Sequence, residues 1–151
     1  MIDAAIVGLG FWGRRLVESV QGRSNTLRFT RAVVRRPEPV REFAANQGIA
    51  LGDDFAAVLA DPAIKLVVLA TPHSLHTEQI IACAAAGKAV HCEKPLALKR
   101  SDVQRAVDAC AKAGVRLGVG HDKRFWPSMV ERISVLALGA ARNCWSIHSA
   151  R

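Results

Sequence analysis

Apolar positions fall into two alternating rhythms along the chain, short continuous runs and longer stretches spaced three and four apart, which predicts strands regularly separated by helices. The run Ile2 to Val7 predicts a first strand, followed from about Trp12 by a helix with Leu16, Val17 and Val20 on one face and Gly22 as its stop. Leu27 to Val34 reads as a second strand, and Pro37 and Pro39 lead into a helix bearing Val40, Phe43 and Ala44. Ile49 to Leu51 forms a short third strand. Asp53 is placed to cap a brief helix through Phe55, Val58 and Leu59 that Asp61-Pro62 ends. The β-branched and leucine run Ile64 to Ala70 has the composition of a central strand buried on both faces. After Thr71-Pro72, a helix from roughly Ser74 to Ala86 stops at Gly87, and Ala89 to Cys92 makes a fifth strand. Ser101 and Gln104 have the spacing of a capping box for a helix carrying Val103, Val107 and Cys110, ended by Gly114. Val115 to Val119 is a sixth strand; Ser128 and Glu131 cap a last helix with Met129, Val130, Ile133 and Leu136, which Gly139 ends.

Strands separated by helices require right-handed crossovers, so the expected fold class is α/β, a doubly wound, mostly parallel sheet covered on both faces. With 151 residues, half of them hydrophobic, the chain is long enough for one domain with a real core. No run approaches the roughly 18 apolar residues of a membrane span, and Asp3 and a strand stand where a signal peptide would carry basic and then apolar residues. The expectation is a cytoplasmic protein. Cys83, Cys92, Cys110 and Cys144 are widely spaced without a C-x-x-C pair, as reduced core thiols would be. The formal charge of +8 points to an anionic partner. Its arginines are scattered and not interleaved with aromatics, so nucleic acid is disfavoured and cofactor phosphates would serve the same charge.

Gly8-Leu9-Gly10-Phe11-Trp12-Gly13 stands directly behind the first strand and opens the first helix. In that setting Gly8 permits a tight turn, Gly10 lets the backbone approach a pyrophosphate, and Gly13 lets the helix pack on the strand. Phosphates would then lie at the positive end of the helix dipole. Taken alone such a loop leaves several ligands open, since methyltransferases use similar turns.

Two further segments narrow the choice. They are Ala70-Thr71-Pro72-His73 through His76-Thr77-Glu78 to Ala86-Gly87-Lys88-Ala89-Val90 with Glu93-Lys94-Pro95, and Val119-Gly120-His121-Asp122-Lys123-Arg124-Phe125. Together with the glycine loop they resemble the amino-terminal Rossmann domain of the glucose-fructose oxidoreductase and inositol dehydrogenase family (Gfo/Idh/MocA), over the chain up to about Leu138. The resemblance implies a nicotinamide dinucleotide held by Gly8, Gly10, Phe11, Trp12 and Gly13. It also implies that Thr71 and Pro72 line the cofactor, that His76 begins the helix beneath it, and that Glu93 and Lys94 lie beside the nicotinamide. Lys94 is the implied catalytic residue, an ammonium able to polarise the reacting oxygen and move a proton. Pro95 would fix the turn, often through a cis bond in this family. His121 and Arg124 resemble a segment near the cofactor and substrate entrance, with Asp122 where an asparagine is often found. His73 and His76 lack a third ligand at helical spacing, so no metal site is expected.

The second strand ends in Val33-Val34-Arg35-Arg36, with no carboxylate before Glu38 to bond a ribose 2'-hydroxyl. Arg35 and Arg36 could grip a 2'-phosphate, which favours NADP over NAD; two solvated arginines after a strand are the alternative. Residues 1–138 are expected to form the dinucleotide-binding domain and 139–151 an atypical tail or the truncated start of a second domain. The family's second α/β domain, which carries most substrate contacts, is expected to be absent, leaving a truncated member, a fragment or a chain with replaced final residues. Two functions follow. One is an oxidoreductase domain acting on a sugar or polyol secondary alcohol, weak or inactive as this chain and prone to self-association through exposed apolar surface. The other is a non-catalytic nucleotide-binding or interaction module.

Overall fold

The computed structural model describes residues 1–121. In chain order these form β1 (Ile2–Val7), α1 (Phe11–Val20), β2 (Leu27–Val33), a 3-10 turn (Glu38–Val40), α2 (Arg41–Asn46), β3 (Ala50–Gly52) and α3 (Phe55–Ala60). There follow β4 (Leu66–Leu69), a second 3-10 turn (His73–Leu75), α4 (His76–Ala85), β5 (Ala89–Glu93), α5 (Arg100–Ala113) and β6 (Leu117–Gly120). The strands make one sheet in the order β3-β2-β1-β4-β5-β6, every pair parallel. This is the expected doubly wound sheet, with its order reversing at β1. Met1–Gly120 forms one compact unit. The last helix expected from Ser128, the tail after Gly139, Arg124 and Cys144 lie outside the described residues.

Strand alternation sorts the core into two layers. Ala5 and Val7 of β1, Val67 and Leu69 of β4 and Val90 and Cys92 of β5 pack with Val58, Ile80, Cys83, Ala106 and Cys110 from α3, α4 and α5. Ala4 and Ile6 of β1, Phe29 and Ala32 of β2 and Val68 of β4 pack on the other face with Val17 and Ala44 from α1 and α2. Central β4 is buried on both faces, as its composition predicts.

Several element edges differ from the sequence reading, each because a backbone bond is spent elsewhere. The Val115 amide closes the end of α5 on the Cys110 carbonyl, so β6 begins at Leu117 instead of Val115. The Ile49 amide closes α2 on Ala44, which moves β3 one residue on. Ile64 turns back on Asp61, so β4 pairs only from Leu66. The cap of α3 is Asp54, not Asp53; its carboxylate accepts from the Ala56 amide at 2.8 Å. The Ser101–Gln104 capping box does not form, because α5 starts from Lys99 and Ser101 is already helical. Gln104 instead donates to Asp108 one turn on.

Candidate active site

The carboxyl ends of the parallel strands gather the sequence-predicted residues along one edge. The glycine turn follows β1, Arg35 and Arg36 follow β2, Thr71 and Pro72 follow β4, and Lys94 and Pro95 follow β5. At the turn, Gly8 has φ +95°, and a Cβ there would stand 2.7 Å from the Ala70 carbonyl oxygen. A Cβ on Gly13 would lie 2.0 Å from the Gly8 carbonyl oxygen, so α1 rests directly on the turn. At Gly10 no atom comes within 4 Å of the same position, and the turn presents open backbone there. These are the three different demands that the motif makes of its glycines. No side chain caps α1 and no acidic residue lies in its first turn, which leaves its positive end facing outward. A pyrophosphate fits this cradle, which a Cβ at Gly10 would crowd.

Phe11 and Trp12 project from that helix end, 70% and 53% exposed, with their rings edge to face at 5.3 Å. The exposed Lys94 ammonium lies 5.9 Å from the Trp12 ring centroid, joining the β5 turn to the glycine loop. The Lys94–Pro95 bond is cis. Glu93 is half-buried, and its carboxylate lies against Gly120, where a Cβ would come within 2.8 Å of it. Beside it, burial first and the Glu93 charge second push the Cys92 thiol up to about 12, so it stays protonated. Arg35 and Arg36 are exposed and form no ion pair among the described residues. The first carboxylate after them, Glu38, lies 3.6 Å from Arg41.

His76 sits under the edge with its ring 1% exposed, Nε2 2.9 Å from the Thr71 carbonyl oxygen and Nδ1 3.0 Å from that of Pro95. Both nitrogens thus face backbone carbonyl oxygens, and a ring nitrogen bonds its carbonyl only where it carries an N–H. His121 follows β6 in the chain and is exposed. Two residues escaped the sequence reading. Arg14, counted there only as charge, donates to the Leu9 carbonyl and to the Pro39 carbonyl, both at 3.2 Å, and stacks over Phe43. It therefore ties the glycine turn to the segment after Arg36. Lys88 is 6% exposed, and its Nζ donates to the Asp61 and Ile64 carbonyls ahead of β4, at the opposite edge of the sheet from Lys94. The two lysines of the Gly-Lys and Glu-Lys-Pro segments thus serve different ends of the fold.

Residues 2–121 match a family profile described as "Oxidoreductase family, NAD-binding Rossmann fold" (Gfo/Idh/MocA). Inositol 2-dehydrogenase of Mycolicibacterium smegmatis is 37% identical over 145 residues, which is 91% of this chain and 41% of that protein. The structure is similar to that of the WlbA dehydrogenase of Bordetella pertussis in complex with NADH and UDP-GlcNAcA, with a TM-score of 0.85 and 29% identity over 91% of this chain and 42% of that one. It is also similar to biliverdin reductase of Synechocystis in complex with biliverdin and NADP+, with a TM-score of 0.76 and 28% identity over 82% of this chain and 39% of that one. The chain spans about 40% of the length of the curated relatives it matches.

Proposed function

The chain belongs to the Gfo/Idh/MocA oxidoreductase family, and on that premise we propose that it is the cofactor-binding part of an NADP-preferring dehydrogenase acting on a secondary alcohol of a sugar or polyol. The observation that carries the reading is the Lys94 ammonium held next to the glycine loop, 5.9 Å from the Trp12 ring. When bound, the nicotinamide supplies or accepts the hydride. The open backbone at Gly10 and the uncapped start of α1 would hold the pyrophosphate. In the reducing direction the Lys94 ammonium would polarise the substrate carbonyl and give the forming alkoxide its proton; in the oxidising direction Lys94 would act as the neutral amine that takes the hydroxyl proton. A relative named inositol 2-dehydrogenase and a similar structure carrying UDP-GlcNAcA support the substrate class.

Most of the similar structures with a named bound cofactor carry NAD or NADH and one carries NADP+, so the preference for NADP is argued from this chain's own residues. Arg35 and Arg36 stand exposed past the end of β2, and the nearest following carboxylate faces Arg41. Two guanidinium groups there suit a 2'-phosphate and offer nothing that a ribose 2'-hydroxyl specifically needs. Calorimetric titration with NADP+, NAD+ and a duplex DNA tests the reading. Tighter binding of NADP+ is expected; binding of DNA in place of both dinucleotides would overturn it.

A further inference from the structure

We propose that His76 is the positioning residue of this site, a buried imidazole that ties the end of β4 to the end of β5 and so sets where the Lys94 ammonium stands. The proposal rests on the reading of Lys94 given above. Its basis is a gap in the sheet. The ladder between β4 and β5 ends at the pair Leu69 and Cys92. Beyond that pair the two chains part, one turning outward through Ala70 and Thr71, the other pairing on with β6 at Glu93 and Gly120 before it reaches Lys94 and Pro95. His76 joins them where the ladder does not, with Nε2 on Thr71 and Nδ1 on Pro95.

Each contact leads to one half of the site. Thr71 follows Ala70, whose amide bonds the Val7 carbonyl and whose own carbonyl oxygen walls the Gly8 turn. Pro95 follows Lys94. The imidazole is therefore the middle of a continuous path from the glycine loop to the ammonium. Thr71 is held a second time from α4, its Oγ1 donating to Gln79 Oε1 at 2.6 Å, so the strand end cannot turn away while keeping the His76 contact. Burial matters as much as distance, because with His76 1% exposed the ring meets these carbonyl oxygens away from solvent, where a lost donor leaves a buried acceptor unsatisfied. Both partners are carbonyl oxygens, which only accept. A ring with one N–H donates to one of them, and a ring with both nitrogens protonated donates to both.

The test uses the 151-residue chain with its lysines reductively methylated with 13C. The Lys94 signal is identified by its loss in Lys94→Arg. In His76→Ala that signal is expected to leave the position set by the Trp12 ring and to take that of a freely solvated lysine. NADP+ affinity is expected to fall about tenfold, the scale of one lost hydrogen bond. A histidine that merely stabilised the core would lower the melting temperature and leave the Lys94 signal in place. An unmoved signal with affinity within about twofold of the wild type therefore overturns the proposal. Because His76→Ala could fail to fold, the wild-type ring is read as well. N–H groups at both Nδ1 and Nε2 protected from solvent exchange support the clamp, and a ring with an N–H on only one nitrogen, or with free exchange at either, overturns it. Failure of the Lys94 reading looks different: the signal responds to His76→Ala yet stays fixed when NADP+ saturates the wild type.

Discussion

A single methyl group distinguishes the glycines of the first turn. At Gly13 it would meet the Gly8 carbonyl oxygen at 2.0 Å, backbone against backbone, with no flexible side chain to give way. Gly13→Ala is therefore expected to lever α1 off β1 and cost about 1–3 kcal/mol, the usual range for overpacking, seen as a lower melting temperature. At Gly10 the same methyl meets nothing, and φ is −68°, so Gly10→Ala is expected to leave the melting temperature unchanged. It should nevertheless weaken dinucleotide binding, because the methyl occupies the backbone face a pyrophosphate approaches. Loss of stability in Gly10→Ala, or unchanged affinity, would break the assignment of the cradle. Cofactor choice also turns on single side chains. In Arg35→Asp one charge-assisted bond worth about 1.5–3 kcal/mol is lost and a carboxylate is gained, so the NADP+ to NAD+ affinity ratio should fall tenfold or more. Wild-type affinities that are equal for the two dinucleotides would remove the idea before any variant is made.

Elements meet in the layer between the sheet and the pair α4 and α5, where Cys83, Cys92 and Cys110 come from α4, β5 and α5. Burial drives the Cys83 thiol up to about 12, with Cys110 nearby adding to the shift, and the same desolvation acts on Cys92 and raises Cys110. Since these folded values are raised, the neutral thiols stabilise the fold fully below the unfolded value near 9.0, and that contribution is lost as pH rises toward 12. Melting temperature is expected to decline across that window, less steeply in Cys83→Ala. In the native state a thiol reagent should label these three positions only on unfolding, as read by mass spectrometry. Such an interior was legible in the sequence because continuous apolar runs and glycine stops report burial and chain reversal directly. What the pattern could not report is competition for individual backbone groups. Asp53 and Asp54 are equivalent as letters, and only the turn out of β3 decides which carboxylate reaches the Ala56 amide. Ser101 and Gln104 carry the capping spacing, but the helix had already started at Arg100. For the same reason His76 was found as a helix-start residue while its two partners, 5 and 19 residues away, were not. Their meeting depends on how two strand ends diverge, which no local pattern encodes.

Across the whole molecule, the strand order brings segments 8–13, 71–72 and 94–95 to one edge, so residues far apart in sequence meet where the proposed dinucleotide would lie. The formal charge of +8 suits that ligand's phosphates and would hasten its capture at low salt. Binding and turnover make different demands on this architecture. On the proposed reading, binding would draw on the glycine turn, the start of α1 and the arginines past β2, all within residues 1–121. Turnover also needs the substrate carbon and oxygen held against the nicotinamide and Lys94, and such positioning can supply roughly 7–11 kcal/mol of a barrier. Lys94 is exposed, and hollows of about 170 and 210 Å³ found among the described residues lie elsewhere, one against β2, β3 and α3, the other between the starts of α4 and α5. We therefore expect these 151 residues alone to bind NADP+ and to produce little NADPH from a panel of sugars and polyols. The check is absorbance at the reduced-nicotinamide band beside calorimetry on the same sample. Rapid NADPH formation that Lys94→Ala abolishes would mean that an open edge positions the substrate by itself, and that binding and turnover are not separate demands on this fold.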